Sequence, residues 1–93
     1  MNILYVIYWL TASLPHGYRA EAFHNLIKVT KQGSTKAAYL APDNTDRNLF
    51  NMAILDEHNS TNVATIAEGI RLEFWSPRDP TGERLAKDIT QYI

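Results

Sequence analysis

Apolar and polar positions follow a different rhythm in each stretch of the chain, and the densest apolar stretch comes first. Ile3-Leu4-Tyr5-Val6-Ile7-Tyr8-Trp9-Leu10 carries no charged or amide side chain and is rich in β-branched and aromatic residues. That is the pattern of a strand covered on both faces, so a central strand is expected here. Ser13-Leu14-Pro15-His16-Gly17 breaks it, because Pro fixes φ and Gly permits turn conformations that other residues resist. From Tyr18 to Gln32 the residues Ala22, Phe23, Leu26, Ile27 and Thr30 share one face at helical spacing, with Arg19, Glu21, Asn25 and Lys28 mostly elsewhere. Gly33 follows where a left-handed residue would end that helix.

Lys36 to Ala41 lies between this helix stop and the turn-rich Pro42-Asp43-Asn44-Thr45-Asp46, which argues for a strand. Asn48 to Leu55 alternates, with Phe50, Met52 and Ile54 against Leu49, Asn51, Ala53 and Leu55, so the two strands should form a hairpin with a loop of about six residues. Beyond Asp56-Glu57-His58-Asn59-Ser60, the spacing of Val63, Ile66, Ala67 and Ile70 is helical, with Ser60 or Thr61 available as cap. The segment is short and Thr-containing, so residues 61–68 remain open between helix and strand. Ile70, Leu72 and Phe74 then alternate with Arg71 and Glu73 as a half-buried strand. Asp79 before Pro80 pairs a good N-cap with a proline at the first helical position, and the final helix should carry the stripe Leu85, Ala86, Ile89, Tyr92 and Ile93. The resulting order is that of an α+β, ferredoxin-like split βαβ fold (β-α-β-β-α-β) with an added C-terminal helix. No repeat, charge run or linker divides the chain, so residues 1–93 are expected to form a single domain.

Composition narrows the class of function more than its identity. At 45% hydrophobic and 11% aromatic residues, the 93-residue chain has ample material for a core. A formal charge of -1 supplies no broad footprint for a polyanion. The absence of cysteine rules out disulfides, thiolate metal sites and a cysteine nucleophile, and fits a reducing, cytoplasmic compartment. No Lys or Arg precedes the opening apolar run, which is too short for a membrane span and reads as a strand rather than a targeting segment.

Candidate chemistry is sparse. Leu4-Tyr5-Val6 resembles the start of the inner-strand motif of single-stranded RNA-binding modules, but Arg47 to Ile54 lacks the Gly and paired aromatics of their second signature. His16, His24 and His58 match no metal spacing, and Glu21 with His24 lacks the second pair that a di-iron bundle needs. Asp43, Asp46, Asp56 and Glu57 lack the alternation and central Gly of a calcium loop and suit Asx-turns better. No cofactor is expected. A small dimeric α/β-barrel enzyme, with His16, Tyr5 and Trp9 lining its cavity, is one alternative and the RNA-binding module another. The expectation carried forward is a non-catalytic domain that covers a partner protein, a way of working familiar among bacterial and phage regulators and inhibitors of host-defence enzymes. Its anchors would be Tyr18, Arg19, Trp75 and Arg78, and a homodimer is compatible with this. With neither thiols nor a ligand set, the chain should unfold at the same temperature with or without reductant, chelator, zinc or calcium. A calorimetric melt in each condition checks this, and an upward shift of many degrees on adding metal would refute it.

Overall fold

The computed structural model describes residues 2–46, 48–57, 66, 68–78 and 81–93. A helix, α1 (Ile3–Ser13), is followed by strands β1 (Tyr18–Phe23), β2 (Leu26–Lys31), β3 (Lys36–Pro42), β4 (Leu49–Asp56) and β5 (Ile70–Glu73), and a second helix, α2 (Glu83–Thr90), comes last. The strands form one sheet in the order β1-β2-β3-β4-β5, each antiparallel to the next. This is an α+β fold, but its sheet is a meander, not the ferredoxin-like split βαβ arrangement.

Two expected elements exchange identity. The opening run is a helix because Asn2 caps it, its Oδ1 accepting from the amides of Leu4 at 3.0 Å and Tyr5 at 3.4 Å. Pro15 disfavours helical geometry at Leu14, so the helix ends at Ser13. An unbroken apolar run carries no period that separates a helix from a doubly covered strand. The stretch expected as a helix is instead the β1–β2 hairpin, closed by the two-residue loop His24-Asn25 with Phe23 opposite Leu26. Across such a loop, residues three apart are neighbours just as they are on a helix, which is why Phe23 and Leu26 satisfied both patterns. Gly33 is left-handed, at φ 86°, but it serves the turn between β2 and β3.

The later elements follow the sequence pattern. Lys36 lies opposite Asp56 and Pro42 opposite Phe50, which aligns Ala38, Leu40, Phe50, Met52 and Ile54 on one face of the sheet. Ile27, Val29 and Leu72 complete that face, and α1 and α2 pack on it through Val6, Leu10, Leu85, Ala86 and Ile89, forming the main core. α1 lies over β1 and β2 and touches α2, which packs on β5. The opposite face buries a smaller cluster of Leu26, Ala37, Tyr39, Ala53 and Ile66. β3 is thus covered on both sides, and Ala37, Ala38, Tyr39 and Leu40 are fully buried. Ile66 is helical, while most of the segment left open between helix and strand, and the proposed caps Ser60 and Thr61, lie outside the described residues. The last helix does not start at Asp79-Pro80 as expected: Gly82, left-handed at φ 79°, is its N-cap and the helix begins at Glu83. Tyr92, expected in its buried stripe, is 45% exposed beyond the helix end.

Where the chain enters β5, the backbone of Gly69 passes so close to β4 that a Cβ there would collide with the Met52 carbonyl. Gly69→Ala should therefore cost about 3 kcal/mol or more, the scale of a disrupted core rather than a surface change. Urea unfolding checks this, and a loss below about 1 kcal/mol would mean that β5 is not seated on β4 as described.

Candidate functional site

α1 is apolar nearly all round, yet only one stripe of it finds cover. Val6 and Leu10 are buried, with Ile3, Ile7 and Leu14 packed partly against the core. On the outward side Leu4 remains 67%, Tyr5 50% and Tyr8 66% exposed. Exposed apolar residues grouped on one helix face mark interaction surfaces more often than chance decoration. No Asp, Glu, Lys or Arg precedes Arg19, so this face carries no formal charge.

The aromatic rings of α1 are joined edge to face. Tyr8 meets Trp9 at 5.3 Å between centroids, Trp9 meets Tyr5 at 6.2 Å, and Tyr5 meets Phe74 at 6.4 Å. Such contacts are worth about 0.5–1.5 kcal/mol each beyond burial, so the rings are held in place rather than free to fold back on the surface. Phe74 in turn packs edge-on against Phe50 in the core at 5.9 Å. Trp9 sits beside Gly82 at the start of α2, and its Nε1 is buried without an acceptor among the described residues.

The anchors expected from the sequence occupy two places. Tyr18 opens β1, is packed against the main core, and donates its hydroxyl to the Ile93 carbonyl at 2.6 Å, tying the C-terminus to the sheet. Arg19 is 77% exposed and pairs with Glu21 along the same strand at 3.6 Å. Trp75, 39% exposed, and the exposed Arg78 follow β5. Since β1 and β5 are opposite edges of the sheet, the two pairs do not share one patch. Leu4 and Tyr8 escaped the sequence reasoning because a strand buried on both faces would have hidden them. As a helix, the same run has more apolar faces than a single sheet can cover.

The residues offered for a catalytic cavity are likewise separated. Tyr5 and Trp9 stand on α1, whereas His16 is exposed in the turn after Pro15, past the end of that helix. Leu4-Tyr5-Val6 lies on this helix and not on an inner strand, so its resemblance to the RNA-binding motif does not extend to its setting. Glu21 and His24 sit in the β1–β2 hairpin, with His24 at φ 55° in the loop. Among the described residues no three His, Asp or Glu side chains gather where they could hold a metal. A shallow concavity lined by Glu83, Arg84, Lys87, Asp88 and Gln91 is simply the solvent face of α2. No helix among the described residues is long and apolar enough to cross a membrane.

Asp43 organises the β3–β4 loop. Its Oδ1 accepts from the Thr45 hydroxyl at 2.6 Å and from the amides of Thr45 at 2.8 Å and Asp46 at 3.2 Å. Its Oδ2 meets the Arg71 guanidinium at 2.7 Å. Asp46 in turn accepts from the Asn48 amide at 2.9 Å, so both acids shape Asx-type turns. The Thr45 hydroxyl and amide, assisted by Arg71, hold the Asp43 carboxyl below its usual value of 3.8. Lys28 and Glu57 pair at 3.3 Å on the far side of the sheet.

Comparison with protein-family models, with curated proteins and with solved structures gives no match.

Because the folded state depresses the Asp43 pKa, its stabilising contribution is complete above the unfolded value and is lost as pH falls through the folded one. Asp43→Asn should therefore lower the melting point at pH 7, and the gap from wild type should close as pH drops below about 4. Melts over that range check it; a gap that is constant with pH would show that the carboxylate's charge contributes nothing.

Proposed function

We propose that this chain is a non-catalytic protein-binding domain, of the small regulator or inhibitor kind, that works by covering a partner. The observation that carries this reading is the run of interlocked aromatic rings from Tyr8 through Trp9 and Tyr5 to Phe74, with Tyr5 and Tyr8 half or more exposed on a helix face without charge. Tyr and Trp are the residue types that most often carry binding energy, because they offer large area at little cost in conformational entropy. Trp75, next along the chain from Phe74, and Arg78 would supply further anchors on the same terms. An enzyme would have to enclose its substrate. The rings named here stand on elements whose inner faces are already packed.

The partner is expected to be a protein met through this surface, in a cytoplasmic setting and without a cofactor. The test is affinity capture from the native host with the wild type and with Tyr5→Ala, Trp75→Ala and Arg78→Ala. One and the same protein should co-purify with the wild type and be lost from the variants, each anchor costing about 2 kcal/mol or roughly thirtyfold in affinity. Their melting points should stay within a few degrees of wild type. Recovery of nucleic acid in place of protein, or capture indifferent to all three substitutions, would overturn the reading.

A further inference from the structure

The outer edge of β1 points to a second surface, separate from the aromatic run. Among the described residues β1 bonds only to β2 as a strand, which leaves one side of its six residues open to pairing. The hairpin register fixes which groups face outward. Phe23 and Leu26 close a two-residue loop, and at the other end the Gln32 amide donates to the Gly17 carbonyl at 2.8 Å. Odd-numbered residues of β1 thus exchange bonds with β2, and the N–H and C=O of Ala20 and Ala22 face out. The outward amide of Tyr18 turns back to the Pro15 carbonyl at 3.3 Å, leaving its carbonyl available.

We propose that β1 pairs with β1 of a second copy of this chain, antiparallel about a twofold axis through Ala20, to give a continuous ten-stranded sheet. Three observations select this occupant and register. First, Ala20 opposite its own copy exchanges two backbone bonds, and each Ala22 amide reaches the Tyr18 carbonyl of the other copy. Every outward amide that is not already bonded finds an acceptor. Second, this register sets Arg19 of each copy directly across from Glu21 of the other, giving two oppositely charged cross-strand pairs. Moving the axis from Ala20 to Glu21 sets Glu21 against itself, which is unfavourable. Arg19 is 77% and Glu21 40% exposed, so both side chains are free to make the exchange.

Third, the axis stands perpendicular to the sheet and keeps both helical layers on one side. α1 lies over β1 and β2, so with strands about 4.8 Å apart the two α1 axes come to roughly 10 Å, the distance of packed helices. Trp9 and Tyr5 face Gly82 and Phe74 on one flank of α1. At about 100° per residue, Tyr8 points away from the sheet, while Ile7, Thr11 and Leu4 lie towards the other flank, on the outside of β1. They meet their copies there with no like charge to oppose the contact. Edge pairing thus satisfies the open strand and covers part of the exposed α1 face in one step, while Tyr5 and Trp75 stay available to a different partner.

The test is sedimentation of the full chain by analytical ultracentrifugation across concentration, with amide exchange by NMR. The wild type should dimerise by about 100 µM. On dimerisation the Ala20 and Ala22 amides should gain protection, while that of Tyr18 should not change. Arg19→Glu should weaken the dimer about tenfold or more, and the exchange Arg19→Glu with Glu21→Arg should restore it to within about threefold. Thr11→Glu should also loosen it. A chain that stays monomeric to about 1 mM, or a dimer indifferent to the charge reversal, would overturn the inference. The proposed function fails separately: Tyr5→Ala and Trp75→Ala should leave the dimer intact, and a monomeric chain that still captures its partner would remove the dimer alone.

Discussion

One face of the sheet must be shielded from water, and the position of nearly every other element follows from that. Ile27, Val29, Ala38, Leu40, Phe50, Met52 and Leu72 present a continuous apolar surface across four strands. Burying a large side chain of this kind is worth about 1.5–3 kcal/mol, so leaving the face open would remove most of what holds a small domain together. A meander has no crossover helices of its own to cover it. The cover must come from before β1 and after β5, which is where α1 and α2 lie. Val6 and Leu10 from one helix and Leu85, Ala86 and Ile89 from the other fill the layer above the sheet.

The two helices meet this demand in different ways. α2 is amphipathic, with Leu85, Ala86 and Ile89 inward and Glu83, Arg84 and Lys87 in water, so its outer face is an ordinary solvated surface. α1 has no polar face to offer. Once Val6 and Leu10 are buried, the helix geometry leaves Leu4, Tyr5 and Tyr8 exposed, and the edge-to-face contacts hold those rings in place. The surplus apolar surface is a consequence of the sequence composition of α1 combined with the one-sided cover it provides. The functional proposal rests on that surplus.

The sheet edges are also unequal. β5 is four residues long, and the chain enters it through Gly69 against the Met52 carbonyl. Its neighbourhood is tied down by Arg71 on Asp43 at 2.7 Å and Arg84 on Glu73 at 3.5 Å. β1 is longer, carries no proline, and has small residues at its outward backbone positions. Short, pinned edges resist further pairing, whereas regular ones invite it.

Alternation and breakers in the sequence by themselves determined β3, β4, β5 and α2, because those elements bury one face or one stripe and their periods survive as 2 or 3.6. Leu85, Ala86 and Ile89 on α2, and Phe50 and Met52 on β4, are where that pattern places them. Local chemistry also determined that Asp43 and Asp46 would shape turns and that Gly33 would be left-handed. Only tertiary structure decided the first third of the chain. An apolar run such as Ile3 to Leu10 has no period to read, and the spacing between Phe23 and Leu26 is shared by a helix and a tight hairpin. The choice fell to which arrangement covers the sheet: a helix before β1 shields Ile27 and Val29, and the hairpin supplies the strands that carry them. The candidate site was hidden for the same reason, since the exposure of Leu4, Tyr5 and Tyr8 is set by what α1 packs against and not by the residues themselves.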